Sequence, residues 1–383
     1  MAIISRPLQN GKMSHLVRVA DYTTGKRRNV TIGTFSTKKQ AERAERDALS
    51  KRDSGASLDS TKLTIGELID TWYLSHKTTI SSQSAVDYEA TIRLHIKPSL
   101  GHVRVSALTP AKARAQYLAW AEAGKSADVI QKCHQRLNQA LDQAVEDRAI
   151  QTNPLNTVKP PRSEKKTMHW YDRDEARAFL TASRSSQYAP VWHLLLLEGM
   201  RVGEALGLRW SDLHLSDDGG TAHIQQQVAA DKANKGKAVI LPYTKTNHSS
   251  RTVRLADETA AELKAHRKRQ NEARLQSDAW EALDLITCTE YGGIVSPSNV
   301  DRAMLVVTRK AGITKRIRVH DLRHTCATLL LQAGIHSKAV SERLGHASIR
   351  VTLDLYSHVM PDMQKETASA WSSILPAPSA QAS

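Results

Sequence analysis

Cysteine is scarce in this 383-residue chain: Cys133, Cys288 and Cys326 are odd in number, far apart and without metal-ligand spacing. That excludes a disulfide framework or a cysteine-type zinc site and fits a reducing, cytoplasmic location. Long apolar runs are also lacking. The longest, HLLLLEGM, contains Glu198 and falls well short of the ~20 residues of a membrane span. The opening MAIISRPLQNGK has neither the apolar core nor the small-residue cleavage site of a secretory leader. No set of three carboxylates stands out, which disfavours a metal-dependent nuclease or transposase. No internal repeat or low-complexity tract is visible. What remains, at 40% hydrophobic and 24% charged residues, is a globular chain long enough for two or three domains.

Positive charge is abundant. Lysine and arginine number 54 against 39 acidic residues, a net charge of +15 that favours polyanionic partners, DNA or RNA. The excess is densest in residues 1–55, with 12 basic and 5 acidic side chains.

Three segments differ in pattern, and the expected class is multidomain, mainly α with α+β parts. Residues 1–55 read as a three-stranded β-sheet followed by a helix. The strands are IISRPLQ, SHLVRVADY and RRNVTIGTF, with NG at 10–11 and TTGK as turns, and Ser36 or Thr37 caps TKKQAERAERDALSKR. Arg18, Lys26, Arg27 and Arg28 line one sheet face or its hairpin tip, and a basic sheet of this size can enter a major groove. After the polar linker SGASLDSTK, residues 63–160 read as an all-α four-helix domain. TPAKARAQYLAWAEAG opens with a Thr cap and Pro at the first helical position, and SADVIQKCHQRLNQALDQAVEDRAI is a long amphipathic helix. The linker NPLNTVKPPRSEKK leads to a mixed α+β segment, residues 165–383. Helices are expected there at 172–182, 188–199, 257–275, 298–311, 320–333, 337–344 and 348–357. TAHIQQQVA, KAVILPYTK and RTVRL form a small antiparallel sheet.

Four stretches of the third segment concentrate phosphate-binding residue types. EGMRVGEALGLRWSDL has Arg201 at a helix start and Glu204 three residues on. TKTNHSSRTVRL has Lys245 in a turn before a strand. HDLRHT places His320 and Arg323 on one helical face. LGHASIRVTLDLYSH carries His346 and, ten residues later, Tyr356. His320 and His324 are also an i, i+4 pair of the kind that binds metals. HDLRH, however, lacks a Glu at its second position, and Arg323 would repel a cation, so no metal is expected.

These stretches resemble, in order and spacing, the signature boxes of the tyrosine recombinase family in its phage-type integrase branch, and the resemblance extends over the whole chain. It implies an arm-type DNA-binding domain at 1–55, a helical, SAM-like core-binding domain at 63–160 and a catalytic domain with a C-terminal tail at 165–383. It further implies a site-specific DNA recombinase, needing neither cofactor nor metal nor ATP, that integrates and excises a phage or other mobile element through a 3′-phosphotyrosine. Metal-free phosphodiester cleavage requires a nucleophile, an acid for the leaving oxygen and fixed positive charge around the phosphoryl group. By resemblance Arg201 and Arg323 grip the phosphate and Tyr356 attacks. Lys245 protonates the leaving 5′-oxygen, His320 assists proton transfer at the tyrosine, His346 donates to a phosphoryl oxygen, and Glu204 orients the cluster.

Lys235 and Lys237, in ANKGKA, compete with Lys245 as the acid. Tyr243 and Tyr291 do not follow LGH at ten residues. EGMR stands where many family members have TGLR, an exchange expected to be a packing substitution. The tail MQKETASAWSSIL, with Trp371, Ile374 and Leu375, reads as a short helix that docks on a neighbouring protomer or folds back on its own domain. Implied partners are double-stranded DNA at core and arm sites, a homotetramer on synapsed DNA, a host DNA-bending protein and an excision directionality factor, in the cytoplasm at the nucleoid of a bacterial host. Two other readings stay open: a type IB topoisomerase-like enzyme, and a DNA-binding architectural protein or regulator that forms no covalent adduct.

Overall fold

The computed structural model describes residues 3–7, 13–22, 27–53, 63–163, 168–216, 219–234, 236–242, 250–346 and 348–356. The chain folds as two compact units, residues 1–165 and 166–383. The architecture is the expected one, mainly α with α+β parts. No described helix is long and apolar enough to cross a membrane.

The first unit contains two separate apolar clusters. Strands β1 (Ile3–Pro7), β2 (Met13–Asp21) and β3 (Arg28–Phe35) form an antiparallel sheet in that order, and helix α1 (Lys38–Asp53) packs on β2 and β3. Val17, Val19 and Val30 meet Ala41 and Ala48 in its core. Alternation along β2 then turns Arg18 to the opposite, exposed face. Arg27 is exposed as well, whereas Lys26 and the Arg28 side chain lie outside the described residues.

The second cluster is all helical: α2 (Ile65–His76), α3 (Ser82–Thr91), α4 (Lys97–Leu100), α5 (Pro110–Glu122) and α6 (Ala127–Glu146). Thr64 and Glu67 close a reciprocal cap on α2, and Thr109 caps α5 with Pro110 in its first turn. α3 runs through a π-turn at 92–96 directly into α4, so two of the helices are a single bent rod. Ile130, Cys133, Leu137, Ala140, Leu141 and Ala144 form the buried stripe of α6 at helical spacing. Each fully buried Ile or Leu there contributes about 1.5–3 kcal/mol.

The second unit is organised around α8 (Ala189–Leu196), every residue of which is buried. It follows α7 (Arg173–Ser183) and precedes the short α9 (Val202–Gly207). Next come β4 (Leu213–Ser216), β5 (Gly219–Ile224), β6 (Gln226–Asp231), β7 (Lys237–Pro242) and β8 (Arg251–Leu255). The helices α10 (Asp257–Leu275), α11 (Pro297–Lys310), α12 (Val319–Gln332), α13 (Ser337–Leu344) and α14 (Ile349–Tyr356) complete it. α10 and α12 pack on α8, and α14 packs on α12 and α13.

The strand expected across 221–229 is divided. Residues up to Ile224 pair in the sheet β4-β5-β8, whereas Gln226 onward pairs with β7 in a separate hairpin. The break falls where side-chain amides take other partners: Gln225 Nε2 donates to Asp212 Oδ1 (2.8 Å) and Gln226 Nε2 to the Gly207 carbonyl (2.7 Å). The helix expected to reach residue 199 ends at Leu196, because Gly199 adopts a positive φ of 66° and reverses the chain.

Candidate functional site

Arg201 is the residue that caps α9. The Glu204 carboxylate reaches back one turn and accepts the Arg201 backbone N–H (2.9 Å) and its Nη1 (2.8 Å). This couples the start of the helix to the direction of the guanidinium. The Arg201 side chain stays 41% exposed, so it can meet a ligand while anchored, whereas Glu204 is fully buried. Burial alone raises the Glu204 pKa, but hydrogen bonds and charge from Arg251, then the Arg201 backbone and charge, hold it at about 2.

His320 lies in the first turn of α12 and Arg323 at the start of its second, and the same local device recurs at the head of this helix. Asp321 accepts the Arg318 backbone N–H (2.7 Å) and its Nη2 (2.7 Å). Arg323 is buried, and its Nη1 donates to the Gly199 carbonyl (2.6 Å). The tight turn at Gly199 makes that carbonyl available, and a Cβ there would stand 2.5 Å from Leu344 Cδ2. The His320 ring meets His324 edge-on, with centroids 5.0 Å apart. One side of His320 is open to solvent; desolvation of the remainder, then the Arg323 charge, lowers its pKa. Burial, then His320, lowers the pKa of His324 to about 4.

His346 follows the left-handed cap Gly345 of α13 (φ 67°), and its N–H returns to the Ser341 carbonyl (3.1 Å). Its Nδ1 lies 2.8 Å from the hydroxyl of the fully buried Thr352 on α14. Desolvation, then the charges of Arg323, Arg201, His324 and Arg251, bring its pKa to about 4. The ring is therefore neutral at pH 7. A neutral ring can accept at Nδ1 from the Thr352 hydroxyl, and in that tautomer Nε2 carries the proton and is the donor.

The structure thus brings Arg201, Glu204, His320, Arg323 and His346 into one electrostatic cluster drawn from α9, α12 and the turn after α13. Tyr356 is the last residue of α14, but its side chain lies outside the described residues, as do Lys235, Lys245, Tyr243 and the tail 357–383. Lys237 is exposed at the start of β7. Sequence reasoning missed Arg251, whose Nη1 and Nη2 donate to Glu204 Oε1 (3.0 Å) and Oε2 (2.8 Å), and it missed Thr352. Glu198 is also no packing substitute: fully buried, it accepts from Arg343 Nη2 and from the Ala256 N–H (3.0 Å).

The phage integrase family model matches residues 169–363, half of the chain. The chain belongs to the phage integrase family. The model of the SAM-like N-terminal domain of phage integrases matches residues 64–117. A tyrosine recombinase XerC-like protein of Caldanaerobacter subterraneus subsp. tengcongensis is 29% identical over 85% of this chain and 87% of its own length. The integrase of Mycobacterium phage L5 is 25% identical over 79% and 77%. Among solved structures, the Tn1549 transposon integrase in complex with transposon right end DNA superposes with a TM-score of 0.68 at 19% identity, over 82% of this chain and all of that one. A lambda integrase tetramer bound to a Holliday junction gives 0.57 at 19% identity, over 94% and 95%. This integrase is accordingly a tyrosine-type site-specific recombinase, an enzyme that cuts and rejoins DNA strands.

Proposed function

We propose that this integrase moves a phage or other mobile element by cutting and rejoining double-stranded DNA through a 3′-phosphotyrosine on Tyr356. The observation that carries the reading is the cluster of Arg201, Arg323, His320 and His346, assembled from three separate segments, with Tyr356 ending the helix that also supplies Thr352. Arg201 and Arg323 hold the non-bridging oxygens, with Arg323 aimed by its bond to Gly199. The Tyr356 oxygen attacks phosphorus, passing its proton to neutral His320. The P–O5′ bond breaks, and Lys245 protonates the departing oxygen. His346 donates through Nε2 to a phosphoryl oxygen whose negative charge grows in the transition state. Attack by a 5′-hydroxyl of the partner strand reverses these steps and rejoins the DNA without an external energy source.

In this reading residues 1–55 bind arm sites through Arg18, Lys26, Arg27 and Arg28, residues 63–160 bind the core site, and residues 165–383 perform the chemistry. Four protomers act together on synapsed DNA, with the tail exchanged between them and a host DNA-bending protein and a directionality factor assisting. The test is a denaturing gel of protein incubated, in EDTA, with duplex DNA spanning the ends of the element that carries the gene. Wild type gives a shifted, protease-sensitive band, and Tyr356→Phe binds the same DNA without giving it. An adduct formed by Tyr356→Phe removes Tyr356 from the mechanism.

A further inference from the structure

Arg251 is a nearly buried arginine, its side chain 10% exposed, outside the groups assigned to the chemistry. It opens β8, and its three nitrogens reach two different parts of the unit. Nη1 and Nη2 grip the Glu204 carboxylate, and Nε donates to the Arg343 carbonyl (3.2 Å). Glu204 in turn carries Arg201. Arg343 lies in the last turn of α13, immediately before Leu344, Gly345 and His346. A Cβ on Gly345 would lie 2.8–3.0 Å from Arg251 Cδ, Nε and Cζ, so the turn that presents His346 rests on this guanidinium. The far end of β8 is tied similarly, with the Ala256 N–H on Glu198 and Glu198 on Arg343. Two buried carboxylates flanking Arg201 thus hold both ends of one strand and, through it, α13.

We propose that Arg251 is a positioning residue, whose guanidinium sets the separation of Arg201 and His346 by bridging the Glu204 carboxylate to the C-terminal turn of α13. The inference rests on the reading of the site given above. Only arginine meets the geometry: its planar fork engages a carboxylate with two nitrogens and keeps Nε for a third acceptor, whereas lysine offers one point charge. All three of these hydrogen bonds are to protein groups, so Arg251 acts on the cleavage step rather than on DNA affinity. It also keeps Glu204 ionised. Hydrogen bonding and charge from Arg251 are the largest contributions that hold that carboxylate ionised; without Arg251, burial pushes the carboxyl toward its neutral form. Arg201 then loses its anchor as the pH falls.

The test uses full-length protein and a nicked duplex spanning the element-end junction, which traps the covalent adduct in a single turnover. Adduct formation is timed from pH 5.5 to 8.5, with binding read by gel shift and folding by thermal melting. Arg251→Lys is expected to fold and to bind within about twofold of wild type while cleaving at least ~10-fold more slowly. Arg251→Met is expected to be slower still, with the acid limb of its pH–rate profile displaced upward by about one unit or more. Should Arg251→Met not fold, Arg251→Met/Glu204→Gln removes the stranded charge together with its partner; it is expected to cleave slowly and without that limb. The proposal is overturned if Arg251→Lys cleaves at the wild-type rate, or if a slowed Arg251→Met has the wild-type pH profile. Tyr356→Phe, run alongside, separates the two failures. An adduct in that variant sinks the reading of the site, whereas silence there combined with wild-type cleavage by Arg251→Lys sinks only the role of Arg251.

Discussion

His346 couples the chemistry of the site to its stability. Its ring is held neutral, with a pKa of about 4 instead of the ordinary 6.5, and His324 is depressed to the same value. Between those two pH values the unfolded chain binds protons that the folded chain refuses, so stability rises with pH through that window. The contribution is fully present above about 6.5 and is lost as the pH falls toward 4. Discounted for partial exposure, it is on the order of 1–2 kcal/mol for each ring. Glu204 adds a separate loss further down. Its carboxyl, held at about 2, stabilises above its ordinary 4.5 and ceases to do so as the pH falls from 4.5 to 2. Calorimetric melting is therefore expected to show the midpoint of residues 166–383 dropping between pH 6.5 and 5, with a shallower drop in His346→Asn. Equal slopes in the two proteins would mean that the ring titrates at its ordinary value in the folded chain.

At the scale of elements, α13 is fastened by the Glu198–Arg343 pair, and this contact shows what the sequence can and cannot reveal. Arg343→Met strands the Glu198 charge in the interior, and urea unfolding is expected to show a loss of about 3 kcal/mol, the low end for a broken buried pair because the arginine is 26% exposed. Glu198→Met/Arg343→Met, which replaces both charges with apolar volume, is expected to recover most of that loss. A double variant as weak as the single one would show that packing, not the stranded charge, is at fault. Most helices, the N-terminal sheet and the Arg201–Glu204 relation were legible because they depend on neighbours within a turn or on periodicity. Arg251 and Arg343 were not, since their carboxylate partners stand 47 and 145 residues away. Nor was the division of the strand at Gln225, which is decided by side-chain bonds to Asp212 and Gly207 rather than by alternation. His320, Arg323 and His346 were found through their motifs, but their meeting with Arg201 is a property of the packed unit.

Across the whole molecule the charge is unevenly placed, and that asymmetry makes the proposed division of labour measurable. Residues 1–55 concentrate 12 basic against 5 acidic side chains, and Arg18 and Arg27 are exposed there. A surface of this kind binds DNA largely by releasing counterions, so each phosphate contact steepens the dependence of log affinity on log salt by about 0.9. Deleting residues 1–55 removes that contribution and leaves the SAM-like match at 64–117 and the integrase match at 169–363 untouched. The truncated protein is expected to bind an isolated core site with little change in salt slope, to lose binding to distal arm sites, and to recombine poorly on full-length sites. Because the chemistry proposed for Tyr356 draws on residues 201–356, cleavage of a nicked core duplex by the truncated protein is expected to persist. Normal recombination of full sites by the truncated protein would show that this basic sheet does not read arm DNA. A simultaneous loss of core cleavage would instead assign it to the assembly of the catalytic complex.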